Sequence, residues 1–180
     1  MKQILVAMMV MFSGLAMAQT FTLQSNPSLA ITGTSTMHDW EMKSNTATGT
    51  LKGTMSGNSL SAIQNLEVVM KATTLKSGKA GMDKKAYEAM KTNSHANASF
   101  KLSSAKKSGN TWTMTGNFTF AGTTKAVTLN VSESTSGGVI TLSGSHKFNL
   151  TDYKITPPTA LMGTIKTGDA VEVKFNVKFK

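Results

Sequence analysis

Strict alternation of apolar and polar positions dominates the chain from Gln19 to Lys180. Val171, Val173, Phe175, Val177 and Phe179 interleave with Glu172, Lys174, Asn176, Lys178 and Lys180. Successive side chains of a strand point to opposite faces, so this period of two predicts a strand with one apolar and one solvated face. Trp112, Met114, Gly116, Phe118 and Phe120 repeat the pattern against threonines and Asn117. Ile140, Leu142, Gly144, His146, Phe148 and Leu150 repeat it again, with His146 the odd member on the apolar side. Val127, Leu129 and Val131 mark another strand, Ala98, Phe100 and Leu102 one more, and Leu66 to Leu75 a strand of denser apolar content. Between them lie Ser108-Gly109-Asn110, Ala121-Gly122-Thr123 and Ser136-Gly137-Gly138, all turn sequences. Strands joined by such short turns are antiparallel, because a parallel pair needs a long crossover.

One segment departs from this pattern. Gly81 to Lys91 holds helix formers and no β-branched residue, with Asp83 placed to cap its start. Met82, Ala86, Ala89 and Met90 share one face at helical spacing. A lone short helix in a β chain covers an open end or edge of a sheet, and Met82 to Lys91 is expected to flank one end of the interior.

About eight strands, each apolar on one face, need a common interior, which a closed barrel or a two-layer sandwich provides. An eight-stranded barrel is either filled by its side chains or holds one small ligand. Gly116 and Gly144 on the inward face leave space or admit a bend, and the alternation does not decide between them.

The N-terminus adds a location. Lys2 precedes an apolar run, Ile4 to Phe12, and Ala16-Met17-Ala18 is a small-x-small cleavage site. This is the layout of a secretory signal peptide over residues 1–18, leaving one domain over 19–180, periplasmic or secreted. The run is too short to span a bilayer. With no cysteine in the chain, disulfide scaffolding, thiol catalysis and thiolate metal sites are excluded.

The chain carries 19 basic against 9 acidic residues, and every cation is lysine. Nucleic-acid readers lean on arginine's bidentate fork and on a basic stripe. Scattered lysines fit a solvated exterior or contact with anionic lipid headgroups, so no nucleic-acid partner is expected. An integral outer-membrane barrel also alternates, but 2 Trp and 2 Tyr are too few for two aromatic girdles, and the last strand ends in Lys180.

Chemistry is sparse. No Gly-x-Ser-x-Gly elbow and no Gly-rich phosphate loop occurs. His38, His95 and His146 are far apart, which argues against a metal site. Asp39 and Glu41 lie two apart beside Lys43 and Lys52, as ordinary surface charge does. With no nucleophile–base pair the chain is expected not to be an enzyme and to have no catalytic residues. His38-Asp39-Trp40 is the sharpest polar cluster. It reads either as a headgroup contact by His38 and Asp39 at a barrel mouth, or as a strand start in which Trp40 packs and His38 bonds backbone; the second reading is favoured.

Four blocks resemble the YceI-like family. ITGTSTMHDW at 31–40 is similar to the family's opening block, and GMDKKAYEAMKTNSHANASFKL at 81–102 to its short helix and following strand. GNFTFAGTTKAVTLNV at 116–131 is similar to its signature hairpin. FNLTDYKITPPTALMGTIKTGDAVEVKFNVKF at 148–179 is similar to its C-terminal block. The blocks stand in family order over nearly the whole domain. The resemblance implies an all-β, extended, lipocalin-like antiparallel barrel of about eight strands with one short helix, and a long-chain amphiphile or polyisoprenoid in the lumen. It implies no catalytic residues and no cofactor beyond a bound isoprenoid or fatty chain. On that reading the lumen wall comprises Met82, Met90, Phe100, Leu102, Trp112, Met114, Phe118, Phe120, Phe148, Leu150 and Met162. The expected partners are the lipid or isoprenoid and a membrane surface, with a homodimer the remaining interaction considered. Family members often carry a larger hydrophobic residue where this chain has Ala98, which alters the expected cavity there. The competing reading is a structural or stress-related envelope protein with a filled barrel, acting through protein partners.

Overall fold

The computed structural model describes residues 17–180, so the expected leader lies, apart from Met17 and Ala18, outside the described residues. The described chain forms β1 (Ala18–Thr22), β2 (Ser28–Ser35), β3 (Trp40–Ser44), β4 (Thr48–Ser56), β5 (Ser59–Lys71), α1 (Ala80–Ala89), β6 (Asn97–Ser108), β7 (Thr111–Phe120), β8 (Thr123–Ser136), β9 (Val139–Asn149), β10 (Thr159–Ala160) and β11 (Ile165–Phe179). The sheet runs β1-β4-β5-β6-β7-β8-β9-β11-β2-β3, with the short β10 beside β11. All its pairings are antiparallel.

The sheet curls until β1 meets the end of β11. Thr22 N–H donates to Lys180 O at 2.8 Å, Lys180 N–H returns a bond to Thr22 O at 3.0 Å, and Gln24 N–H donates to Lys178 O at 2.7 Å. These bonds join β1 to β11 and complete a circuit of eight strands, from β1 through β4 to β9 and β11. β2 and β3 continue beside β11 at the helix end. There β3 reaches the segment after β5 through paired bonds between Lys43 and Lys76, 2.8 Å each. Closure leaves few unpaired strand edges.

The turns follow from residue chemistry. Two-residue hairpins with both central residues at positive φ match the strand twist. Gly137 (φ 57°) and Gly138 (φ 76°) supply this between β8 and β9, and Ala121 (φ 47°) with Gly122 (φ 78°) between β7 and β8. Gly122 also has a packing reason to be glycine: a Cβ there would lie 2.5 Å from the His95 ring.

Inward parity holds along β7, β9 and β11 as the alternation predicts. Val171, Val177 and Phe179 are buried on one face while Lys174, Lys178 and Lys180 are exposed on the other. A bulge in β6 between Leu102 and Ser104 shifts its parity, since an extra residue flips the side chains that follow. Leu102 and Ala105 therefore both pack inward, and Lys107 follows them.

The interior has two layers. At the end away from α1, Leu51, Leu60, Trp112, Val131, Ile140, Leu142 and Phe179 form a floor with at most 1% exposure each. At the α1 end Ile31, Met42, Leu75, Met90, Phe120, Leu150 and Tyr153 pack together. α1 begins one residue before the predicted segment and ends at Ala89, with Met90 as its C-cap. Asp83 does not cap it, because the N-cap is Lys79 and has no side-chain bond. Instead Asp83 accepts from Ser77 N–H at 2.8 Å and Ser77 Oγ–H at 2.7 Å, tying the first turn to the preceding loop.

Candidate ligand-binding cavity

Inward residues of a filled barrel are buried. Here Val68, Phe100, Phe118, Val127, Val173 and Phe175 point inward yet remain half-buried, because they border a hollow. The central cavity is about 140 Å³ and is lined almost wholly by apolar side chains from β2, β5 to β9 and β11. A second cavity of about 360 Å³, the vestibule, lies under α1. Both are lined by Ile31, Leu75 and Phe120, where they adjoin. Apolar hollows of the central cavity's size stay dry and accept apolar guests.

The glycines that alternation left ambiguous shape this hollow. A Cβ on Gly116 would meet the Phe100 ring at 2.6 Å, and one on Gly144 the Phe175 ring at 2.8 Å. Each glycine is covered by the ring of a neighbouring strand, which lies against the wall.

Met114, Phe118, Phe120 and Phe100 line the central cavity, and Met82, Met90, Phe120 and Leu150 line the vestibule. Ala86 and Ala89 join Met82 and Met90 there, so the whole expected apolar face of α1 looks into the vestibule. Four other expected wall residues border neither cavity. Trp112 is in the floor at 1% exposure, and Leu102 packs beside that cluster. Phe148 packs into an aromatic cluster, 4.8 Å from Tyr153 and 5.8 Å from Phe118 between ring centroids. Met162 is fully exposed, because residues 161–163 form a left-handed turn that points it outward. Alternation could not place it, since it lies between strands.

His38 does reach the vestibule, whereas Asp39 lines an outer groove on the other side of β3. His38 Nδ1–H donates to Asp39 O at 2.8 Å, and Trp40 Nε1–H donates to Thr34 O at 2.9 Å. The packed strand-start geometry is thus present, with His38 at the rim. Glu41 pairs with Lys43 at 2.7 Å on the exterior. Among the described residues no group of three metal-binding side chains occurs.

Two polar groups inside the barrel were not singled out from sequence as a site. His146 lines the central cavity beside Phe118 and Phe148, and burial holds its pKa below the usual imidazole range. Burial thus favours its uncharged form. Glu133 is buried in the floor. Its Oε1 accepts from Leu60 N–H at 2.9 Å and Ser59 Oγ–H at 3.1 Å, and its Oε2 from Lys107 Nζ at 2.9 Å and Trp112 Nε1–H at 2.7 Å. Lys107 Nζ also donates to Leu60 O. Burial alone would raise the Glu133 pKa, but this set of donors, led by Lys107, outweighs it and holds the carboxyl below the usual carboxylate range.

A closed antiparallel barrel with a covering helix and an apolar hollow is a lipocalin-like architecture. The chain belongs to the YceI-like domain family, whose model matches residues 19–179. Solved structures share the fold at low identity. BcnA from Burkholderia cenocepacia is 14% identical, with a TM-score of 0.71 over 84% of this chain and 95% of that one. A polyisoprenoid-binding domain from Saccharophagus degradans, implicated in plant cell wall breakdown, is 10% identical, with a TM-score of 0.67 over 89% and 97%. A Campylobacter jejuni YceI protein is 18% identical, with a TM-score of 0.54 over 64% and 71%. No curated protein matches the chain in sequence.

Proposed function

We propose that the chain is an exported lipid-binding protein that holds a polyisoprenoid or another long-chain amphiphile, with its apolar end in the central cavity and its polar end in the vestibule. The observation that carries this reading is the hollow itself: inward aromatic and β-branched side chains border an apolar cavity that continues toward a wider one, itself mostly apolar but reached by Ser35, His38, Lys79 and Lys85. Burying a chain gains about 0.8 kcal/mol per methylene, so an apolar wall binds without specific polar contacts. Met82 and Met90 suit a guest of variable shape, because methionine adapts its rotamers easily. His38 is positioned for the polar end. The Saccharophagus relative, a polyisoprenoid-binding domain, supports the chemical class. No catalytic role is assigned to any residue.

Two measurements test this. Lipids extracted from purified mature protein are expected to contain a long-chain species at near-stoichiometric amount by mass spectrometry. Delipidated protein titrated with cis-parinaric acid, a fatty-chain probe that fluoresces in apolar surroundings, is expected to bind it and gain thermal stability. At a probe concentration about 100-fold above its Kd, linkage adds roughly 2.7 kcal/mol. Trp40, which lines the vestibule, is the intrinsic reporter, since Trp112 lies in the floor. Unchanged emission and melting across the titration would refute the reading. Export has its own measurement: the intact mass of periplasmic protein is expected to begin at Gln19, and retention of Met1 would overturn the assignment of 1–18 as a cleaved leader.

A further inference from the structure

Among the described residues the exposed large hydrophobic side chains are Met17, Met37, Leu161 and Met162, at 76%, 68%, 69% and 109% exposure. The last three belong to one place. Thr36, next to Met37, donates its N–H to Lys166 O at 3.0 Å and its hydroxyl to Thr164 O at 3.3 Å, and accepts from Lys166 N–H at 3.1 Å. These bonds fasten the 36–38 loop to the turn carrying Leu161 and Met162. That turn holds three consecutive residues at positive φ: Leu161 (48°), Met162 (54°) and Gly163 (87°). Left-handed backbone is costly for residues with a side chain. Here it presents two large apolar groups to solvent, where no packing inside the chain repays it.

The same loops form the vestibule's mouth, which is lined by Ser35, His38, Pro158 and Ile165. Lys79, the N-cap of α1, and Lys85 within it also line it, and Lys166 is exposed on the rim. The acids on the same elements are otherwise engaged or placed: Asp39 is on the outer side of β3, Asp83 is buried and bonded to Ser77, Glu88 lines a separate groove beside Tyr87, and Asp169 accepts from the Thr151 N–H and hydroxyl. Apolar tips ringed by lysine, on a chain of net charge +10, match an anionic bilayer, where lipid takes the tips and phosphates take the ammonium groups. An interface between copies would bring these like charges together, and the patch holds none of the aromatic and arginine anchors that protein interfaces favour.

We propose that this rim is a membrane-docking edge. Met37, Leu161 and Met162 enter the headgroup region of an anionic bilayer, Lys79, Lys85 and Lys166 bind its phosphates, and the vestibule mouth faces the lipid. A long chain then passes between bilayer and barrel without crossing water, where each exposed methylene costs a factor of about four in equilibrium. The transfer role rests on the lipid-binding reading; the docking geometry does not.

The absence of cysteine makes the test clean. Met162→Cys is labelled with the environment-sensitive dye NBD, and Ser136→Cys at the opposite hairpin serves as the control. Both are mixed with vesicles of phosphatidylglycerol and phosphatidylethanolamine, or of phosphatidylcholine alone. The expected result is a blue-shifted, several-fold rise at Met162→Cys with anionic vesicles only, no change at Ser136→Cys, and loss of the response at high salt. Changing Lys79, Lys85 and Lys166 to Gln is expected to weaken vesicle binding by about fivefold per lysine. The proposal is overturned if Met162→Cys shows no response, if both ends respond equally, or if the dye shifts with protein concentration alone, which would mark self-association. Vesicle-free cis-parinaric acid binding separates the two readings. Uptake without docking sinks this proposal alone, and docking without uptake supports the edge while sinking the lipid-binding reading.

Discussion

Glu133→Gln is expected to destabilise the barrel by about 3–5 kcal/mol, the usual cost of breaking a buried ion pair by removing one partner. The carboxylate accepts from five groups on four strands: Ser59 and Leu60 of β5, Lys107 of β6, Trp112 of β7 and, at 3.4 Å, Thr135 of its own strand β8. Glutamine keeps one acceptor but turns an amide N–H₂ toward other donors and leaves the Lys107 ammonium, 22% exposed, without its counter-ion. Chemical denaturation of wild type and variant checks this, and a difference below about 0.5 kcal/mol would mean the pair is effectively solvated. The pH dependence has a definite sign. The folded pKa of Glu133 lies below that of the unfolded chain, about 4.3. The stabilisation is therefore complete above that value and is lost as pH falls through the lower, folded value. Melting temperatures from pH 7 to pH 3 are expected to fall less steeply in Glu133→Gln than in wild type. Replacing both partners, as Lys107→Met with Glu133→Leu, is expected to recover only part of the loss, because no charge is left unpaired but the Leu60 N–H and Trp112 Nε1–H lose their acceptor.

Ala98→Phe is expected to weaken long-chain binding by about 100-fold while leaving the empty barrel folded. Ala98 is on β6, 6% exposed, and borders the central cavity of about 140 Å³. A phenyl ring added there takes the place of three or four methylenes of guest, roughly 3 kcal/mol at about 0.8 kcal/mol each. In a packed core the same change would overfill the site and cost about 1–3 kcal/mol of stability. The two outcomes separate cleanly. Lost cis-parinaric acid binding with an unshifted melting temperature marks a hollow that receives the ring. Retained binding with a large drop in melting temperature marks a packed site and contradicts the cavity as ligand space.

What was legible in the sequence follows from burial on one side. β7, β9 and β11 must hide one face and wet the other, so their alternation located them and assigned Phe118, Phe120 and Leu150 to the interior. The helix was visible from its composition, and its apolar face from spacing. β1 to β4 were harder to read, because Thr- and Gly-rich stretches such as Thr48 to Ser56 alternate weakly. The Lys107–Glu133 pair was hidden for a specific reason: the β6 bulge turns a lysine inward at a position where unbroken parity would send it to solvent. Wall and floor also share one parity, so alternation alone could not separate Trp112 in the floor from Phe118 beside the hollow. Met162 shows the limit of the resemblance, which carried it to the lumen although a turn aims it at solvent.

The way the circuit closes has a consequence for the order of folding. β11 is central in the sheet, with β9 on one side and β2 on the other, and its end is clasped by Thr22 and Gln24. β11 follows every other strand of the barrel along the chain and is thus a keystone, and its neighbour β2 is among the first of them. Hairpins from β4 to β9 can form locally, but the barrel cannot shut until residues about 150 positions apart find each other. Until then β9 and β2 each keep an unpaired edge, so an incomplete or stalled chain presents open strands to whatever holds or degrades unfolded protein.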